Sequence, residues 1–199
     1  MSTTGNRWDK KYERDIHNYL CSREKERYLF RGQSHLLHLR RSLVEWMTSI
    51  CEKMEFCSPV QHLAVYFLDI FMDNHNIHSE HIQFVALGCL IVAVKLEENE
   101  AIRPKNSDFN AIIGNKYSLS EFILMEINIL TFFEWDISYP TAAHFAEYYA
   151  IYALSPSDLR NDGLLPSFEY VQQYVKKYID YFLDVIILDY AFHKFNPSL

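Results

Sequence analysis

Apolar positions recur along the chain at spacings of three and four, block after block. From Trp8 to about Tyr28 a charged segment gathers Ile16, Tyr19 and Leu20 on one side. Gly32-Gln33-Ser34 interrupts it. From His35 to about Met54, Leu36, Leu39, Leu43, Trp46 and Ile50 keep the period of an amphipathic helix. Ser58-Pro59 reads as a start signal, a cap followed by proline at the first helical position. The helix it opens carries Leu63, Tyr66, Phe67 and Ile70 and runs to about Asn74. Ser79 can cap the next helix, to about Glu98. That helix is apolar nearly all round, which predicts a place at the centre of a bundle. Ser107 to Ile113 reads as a short helix. Ser118-Leu-Ser-Glu121 is a capping box ahead of the apolar run Phe122–Phe133. Pro140-Thr141 opens a helix to about Leu154, residues 155–167 read as a loop, and a last long helix spans about Phe168 to Phe192.

The predicted fold class is therefore all-α. With 5 Gly and 6 Pro in 199 residues, the repeated turn chemistry of an all-β fold is missing. Hydrophobic residues make up 49% and charged residues 23%, a globular composition. Tyr66-Phe-Leu-Asp69 recurs as Tyr181-Phe-Leu-Asp184, each in the second helix of its block, which suggests two helical repeats starting near 35 and 141. On that reading the second repeat stops before its central helix.

A net charge of −7 disfavours a duplex-binding face, and Arg23/Lys25/Arg27 and Arg40/Arg41 read as solvated helix faces. Cys21, Cys51, Cys57 and Cys89 form no CxxC pair and read as buried free thiols of a reducing compartment. Met1 to Tyr12 is polar, and the uncharged run Phe84–Val94 falls short of the roughly 18 residues that suggest a membrane span. A soluble, intracellular protein is expected, with no membrane or nucleic-acid partner.

Catalytic candidates are few. The glycines stand alone rather than in a phosphate loop, and neither HExxH nor GxSxG occurs. His75, His78 and His81 straddle a helix break and read as a polar loop rather than a metal site. Adjacent Glu97 and Glu98 point in different directions on a helix and read as a solvated terminus. No catalytic residue, metal or cofactor is expected, so the chain reads as a protein that works by binding.

One stretch resists a purely structural reading. VAVKLEENE (92–100) puts Lys95 and three glutamates, Glu97, Glu98 and Glu100, at the exit of the most apolar helix. Lysine suits a helix C-terminus, whereas glutamates oppose the macrodipole.

Several segments together resemble the cyclin family, the activating subunits of cyclin-dependent kinases. ERDIHNYL (13–20) is similar to the family's N-terminal helix, LRRSLVEWM (39–47) to the start of the cyclin box, and HLAVYFLDIFM (62–72) to its second helix. VALGCLIVAVKLEE (85–98) resembles the central helix, and LMEINILTFFEWDISYPTAAHF (124–145) the last box helix and the start of a second box. PTAAHFAEYY (140–149) resembles the J branch of the family. The resemblance implies a five-helix bundle around a central buried helix, an extra N-terminal helix, and an incomplete second repeat. The corresponding segments are 1–33 for the N-terminal helix and linker, 34–137 for the box, and 138–199 for a partial second box, truncated before its central helix. An exposed apolar patch is expected there, with Phe145, Tyr148, Tyr149, Phe182, Ile186, Ile187 and Tyr190 as candidates.

The resemblance also implies a partner and a surface. Lys95 and Glu126 would clamp backbone groups of a cyclin-dependent kinase. Ile16, Tyr19, Leu96, Leu130, Trp135 and Ile137 would line the kinase-facing side. Arg40 and Asp69 would form a buried pair tying two helices. Leu39, Leu43, Trp46 and Gln83 match the groove that docks substrate or inhibitor peptides carrying Arg-x-Leu. Here the chain departs from the pattern: Ser42 replaces an apolar residue, Ser49 an acid, and Phe84 a leucine. The expected function is a regulatory subunit of a cell-cycle kinase. The alternative is a cyclin-fold adaptor or transcription-related scaffold, which would not need the Lys95/Glu126 pair.

Overall fold

The computed structural model describes residues 11–155 and 167–199. Helices and turns account for them, and no strand occurs among the described residues. The start of the first predicted helix at Trp8 and most of the predicted loop 155–167 lie outside the described residues. The chain divides into two compact units, Glu26–Tyr139 and a second made of Met1–Lys25 with Pro140–Leu199.

The first unit holds α2 (Arg40–Met54), α3 (Ser58–Asn74), α4 (Ile82–Glu97), α5 (Asn106–Ile112) and α6 (Leu119–Phe132). Short 3-10 turns at Leu37–Leu39 and Ser79–His81 precede α2 and α4. Both helices therefore begin a few residues later than their apolar pattern does, because the first turn is wound tighter. Cys57 occupies the N-cap of α3, so Ser58 and Pro59 are its first and second residues rather than cap and first residue. Proline is tolerated there because first-turn N–H groups have no intrahelical acceptor.

Two helices are buried on all sides, not one. In α4 every residue from Phe84 to Val94 is buried. In α3 the same holds from Pro59 to Met72. The polar residues of α3 masked this in the sequence, yet Gln61 and Asp69 are matched inside the fold. Gln61 Nε2 donates to Thr48 Oγ1 at 2.9 Å. Asp69 accepts from Arg40 at 2.7 and 2.8 Å, with side-chain exposures of 0% and 4%. Ser79–Glu97 as a whole is long and apolar enough to cross a membrane, unlike the core of the run alone, but most of it is buried in the bundle.

Glycine at 88 lets α6 approach α4. A Cβ there would meet Met125 Cγ at 2.5 Å and Ile129 Cδ1 at 2.9 Å. Helix α6 itself starts as its sequence predicts: Ser118 Oγ accepts from the Glu121 N–H, and the Glu121 carboxylate accepts from the Ser118 N–H and O–H.

The second unit contains α1 (Glu13–Arg23), α7 (Ala142–Tyr152) and α8 (Phe168–Leu188), with a 3-10 turn at Tyr190–Lys194. Leu20 and Phe145 form its core, with Ile16, Cys21 and Tyr148 packed around them. The Tyr152 hydroxyl donates to Glu13 at 2.8 Å, and that bond pushes the phenol up to about 12. The buried Glu24 carboxylate accepts from the backbone N–H and hydroxyl of Ser198 at 3.0 and 2.8 Å. Of the expected exposed patch, Phe145 and Ile187 are buried, because Phe145 meets Leu20 and Ile187 lies on the packed side of α8. Tyr148 and Ile186 are half-buried; Tyr149, Phe182 and Tyr190 are exposed. The repeated tetrapeptide sits in unlike places: Tyr66, Phe67 and Asp69 are buried, Tyr181, Phe182 and Asp184 exposed. Cys51 and Cys89 are buried, whereas Cys21 and Cys57 are only half-buried, and all four are free thiols. Cys21 lies on a short surface helix and Cys57 at a helix start, where burial is incomplete.

Candidate partner-binding surface

The last turn of α4 carries Lys95, whose Nζ donates to both oxygens of Glu126 on α6, at 2.6 and 2.8 Å. The lysine side chain is 50% exposed and the glutamate 14%. The close approach permitted by Gly88, two turns earlier on the same side of α4, brings α6 within reach of the lysine. Leu96 follows the lysine and is exposed.

Beside Glu126, α6 presents Leu119, Ile123, Ile127 and Leu130, an i, i+4, i+8, i+11 stripe. The first three are exposed and Leu130 is half-buried, while Phe122 and Ile129 face the core. The apolar run Phe122–Phe133 gave no hint that Ile123 and Ile127 would stay outside. Their signal was available only in the angular spacing, which puts them between Glu126 and the solvent side.

Past α6 the chain turns through two successive left-handed residues, Glu134 with φ +54° and Trp135 with φ +63°. Bonds from Glu134 N–H to Thr131 O and from Trp135 N–H to Leu130 O close the turn, at 3.1 and 2.8 Å. Neither residue is glycine, and a bulky residue in this region is strained. The turn leaves the Trp135 side chain 65% exposed, with Ile137 half-buried beyond it. A costly backbone that holds an indole in water is a feature the fold alone does not explain.

The glutamates after Lys95 do different work. Glu98 is buried, and its carboxylate accepts from the Cys57 N–H at 2.9 Å, at the start of α3. A carboxylate suits that end of the helix dipole. Arg103 Nε in turn donates to the Glu98 carbonyl at 2.8 Å. Glu98 is therefore not a solvated terminus; its partner is 41 residues away in sequence, out of reach of local reasoning. Glu100 opens a 3-10 turn to Ile102, capped by Asn99.

On α1, Ile16 packs against the Leu20–Phe145 core and is half-buried, and Tyr19 is exposed. Of the groove residues, Leu43 is buried, Leu39 and Trp46 half-buried, and Gln83 exposed. Ser42 and Ser49 are exposed, and Ser49 Oγ turns back to donate to the Trp46 carbonyl at 2.7 Å. Phe84 is buried and stacked on Tyr117 with ring centres 3.8 Å apart. His75 stacks on Phe71, with ring centres 4.0 Å apart, whereas His78 lies 3.9 Å from Glu80 and has its ring centre 6.2 Å from that of His81. No group of three metal-ligating side chains occurs among the described residues.

Comparison with known proteins agrees with the architecture. Residues 15–138 match the family described as the cyclin N-terminal domain. Cyclin-J of Xenopus laevis is 34% identical over 204 residues, covering 100% of this chain and 53% of its own. Cyclin-J of Homo sapiens is 35% identical over 190 residues, covering 93% and 51%. The chain thus spans about half the length of the curated relatives it matches. The crystal structure of a viral cyclin from herpesvirus saimiri superposes with a TM-score of 0.71 at 18% identity, covering 92% of this chain and 76% of the other. That is a likeness of fold. With the family match running over most of the chain, from α1 to the turn after α6, this protein belongs to the cyclin family.

Proposed function

We propose that the chain is a regulatory subunit that binds and activates a cyclin-dependent protein kinase in the nucleus or cytoplasm, and that it contributes no catalytic residue of its own. The observation that carries this reading is the Lys95–Glu126 pair, its lysine half exposed, bordered by the apolar stripe of α6. A bidentate ion pair at a wet surface adds little to stability. The same charged groups become effective when a partner's backbone N–H and C=O groups meet them in a water-poor interface. Leu96, Leu130, Trp135 and Ile137 supply apolar contact beside them, and Ile16 and Tyr19 add contact from α1. The kinase provides the chemistry, and the bound subunit holds the kinase's regulatory helix in its active position.

Calorimetry against a panel of purified cyclin-dependent kinases tests the proposal. At least one kinase binds the wild type, and phosphorylation of a generic substrate rises on mixing. Lys95→Ala with Glu126→Ala lowers affinity at least ~100-fold, since each charge-assisted bond is worth roughly 1.5–3 kcal/mol. Unchanged affinity in the double variant would remove the clamp from the reading. Arg-x-Leu peptides bind weakly by the same proposal, because Ser49 offers no carboxylate and its hydroxyl is turned to the backbone.

A further inference from the structure

The left-handed turn at Glu134 and Trp135 needs a holder. Consecutive bulky residues at positive φ persist only where the surroundings leave the backbone no easier path. Tyr28 supplies such a constraint. It lies in segment 27–33, which has no regular secondary structure. Its ring centre is 5.6 Å from that of Phe132 and 5.5 Å from that of Phe133, the two residues before the turn. It is also 6.0 Å from the ring centre of Tyr139, which lies beyond the turn. The contacts to Phe133 and Tyr139 are edge to face, a favoured arrangement of aromatic pairs. Phe133 and Tyr139 are themselves buried, with ring centres 6.0 Å apart. One side chain thus bridges the entry and the exit of the strained turn.

The ring is fixed from behind. The Tyr28 N–H donates to the Tyr66 hydroxyl at 2.9 Å, and the Arg27 guanidinium lies 4.3 Å from the centre of the Tyr66 ring. Farther along the segment, the Asp73 carboxylate accepts from the Arg31 and Gln33 N–H groups at 2.6 and 2.5 Å. Gly32 between them has φ +67°, and this left-handed residue lets both N–H groups converge on one carboxylate. Tyr66 and Asp73 both belong to α3, the helix buried from Pro59 to Met72. Segment 27–33 is therefore tied at both ends to the firmest part of its unit.

We propose that Tyr28 is a positioning residue for Trp135: anchored on α3, its ring staples the strained turn and so holds the indole where a partner meets it. The inference rests on the reading of Trp135 as a partner contact, although its first test does not. Without the staple the left-handed residues relax, and the turn that presents the indole becomes a minor state. Apparent affinity then falls in proportion to the population of that state.

Fluorine NMR of the whole chain, with 5-fluorotryptophan at positions 8, 46 and 135, tests the proposal. Trp135→Phe assigns the resonance of interest. Tyr28→Leu moves the Trp135 resonance and leaves the other two in place. Tyr28→Phe keeps the ring and moves none. Against a kinase that binds the wild type, Tyr28→Leu weakens affinity about tenfold, as a turn populated roughly one-tenth of the time does. Tyr28→Phe binds like the wild type. Asparagine accepts left-handed backbone without a clamp. Glu134→Asn therefore recovers most of the loss in the Tyr28→Leu chain and changes little in the wild type, whereas a ring that only filled space would give additive effects. An unmoved Trp135 resonance in Tyr28→Leu overturns the proposal. So does a shift of all three resonances, which makes Tyr28 a general packing residue. A moved Trp135 resonance with unchanged affinity supports the staple and counts instead against Trp135 as a partner contact.

Discussion

Lys95 and Glu126 share a bidentate ion pair of 2.6 and 2.8 Å, but they are not equally wet: the lysine is half exposed and the glutamate is 14% exposed. Removing the two partners is therefore not symmetric. Glu126→Ala leaves an ammonium that water can reach. Lys95→Ala leaves a carboxylate partly withdrawn from water with its cation gone. The pair as a whole is worth no more than about 1 kcal/mol once solvent screening is counted. Lys95→Ala is expected to cost most of that in urea unfolding, and Glu126→Ala only a few tenths. Equal losses would show that the glutamate is as well hydrated as the lysine.

The pair of Arg40 and Asp69 is the opposite case. Both side chains are fully enclosed and the geometry is a fork of 2.7 and 2.8 Å joining α2 to α3. Arg40→Met strands a carboxylate in the core and is expected to cost about 3–5 kcal/mol. Arg40→Met with Asp69→Leu removes both charges and recovers much of the loss. A double variant no more stable than the single one would mean that further polar groups around Asp69, not the arginine, set the cost.

These two pairs also show what the sequence made legible. Both were identifiable from the family resemblance, and Ser118-x-x-Glu121 was identifiable from local chemistry alone, because a capping box is written within four residues. The period of three and four placed the helices, though not the 3-10 turns before α2 and α4, which keep the same residues on the same side. What stayed hidden was non-local. Glu98 looked like a solvated terminus until its tie to Cys57 was seen. That Gln61 of α3 is buried was hidden because its partner, Thr48, lies on α2. The exposure of Ile123 and Ile127 was not legible either, because an apolar run does not say which of its members point outward.

Glycine at 88 can be tested against two opposing terms. Alanine in place of glycine favours a helix by about 0.8–1.0 kcal/mol. The added methyl would lie 2.5 Å from Met125 Cγ and 2.9 Å from Ile129 Cδ1, and overpacking of this kind costs about 1–3 kcal/mol. Gly88→Ala is expected to be destabilising on balance. In a Met125→Ala background the nearest clash disappears, so the same change should become neutral or stabilising. A Gly88→Ala effect independent of residue 125 would place the close approach of α4 and α6 elsewhere.

The capping box makes the stability of α6 depend on pH. The Ser118 N–H and O–H hold the Glu121 carboxyl below its ordinary value of 4.5. A group with a depressed folded pKa stabilises the fold above its unfolded value and loses that contribution as pH falls through the folded value. Glu121→Gln should therefore be less stable than wild type near neutral pH. The difference should shrink as pH drops below about 4.5 and vanish once the carboxyl is protonated in both states. Urea unfolding of both proteins over that range measures it. A gap that stays constant with pH would show that the carboxylate charge contributes nothing.

Trp135 offers a way to separate folding from binding. Its left-handed backbone, φ +63°, is unfavourable for a bulky side chain, and its indole is 65% exposed. Strain of this kind costs on the order of 1–3 kcal/mol. Asparagine adopts the left-handed region more readily than other non-glycine residues. Trp135→Asn loses the modest burial of the indole but relieves the backbone, so its melting temperature should equal or exceed that of the wild type. Exposed tryptophans that dock on a partner are among the most costly side chains to remove, commonly about 2 kcal/mol or more. Kinase affinity in the same variant should therefore fall at least ~10-fold, a loss of about 1.4 kcal/mol. Calorimetry and thermal unfolding on one preparation give both numbers. Loss of stability together with affinity would mean that the indole serves the fold. Retained affinity with raised stability would take Trp135 off the binding surface. Only the split outcome, a firmer fold and a weaker complex, is expected if the strained turn exists to present the tryptophan.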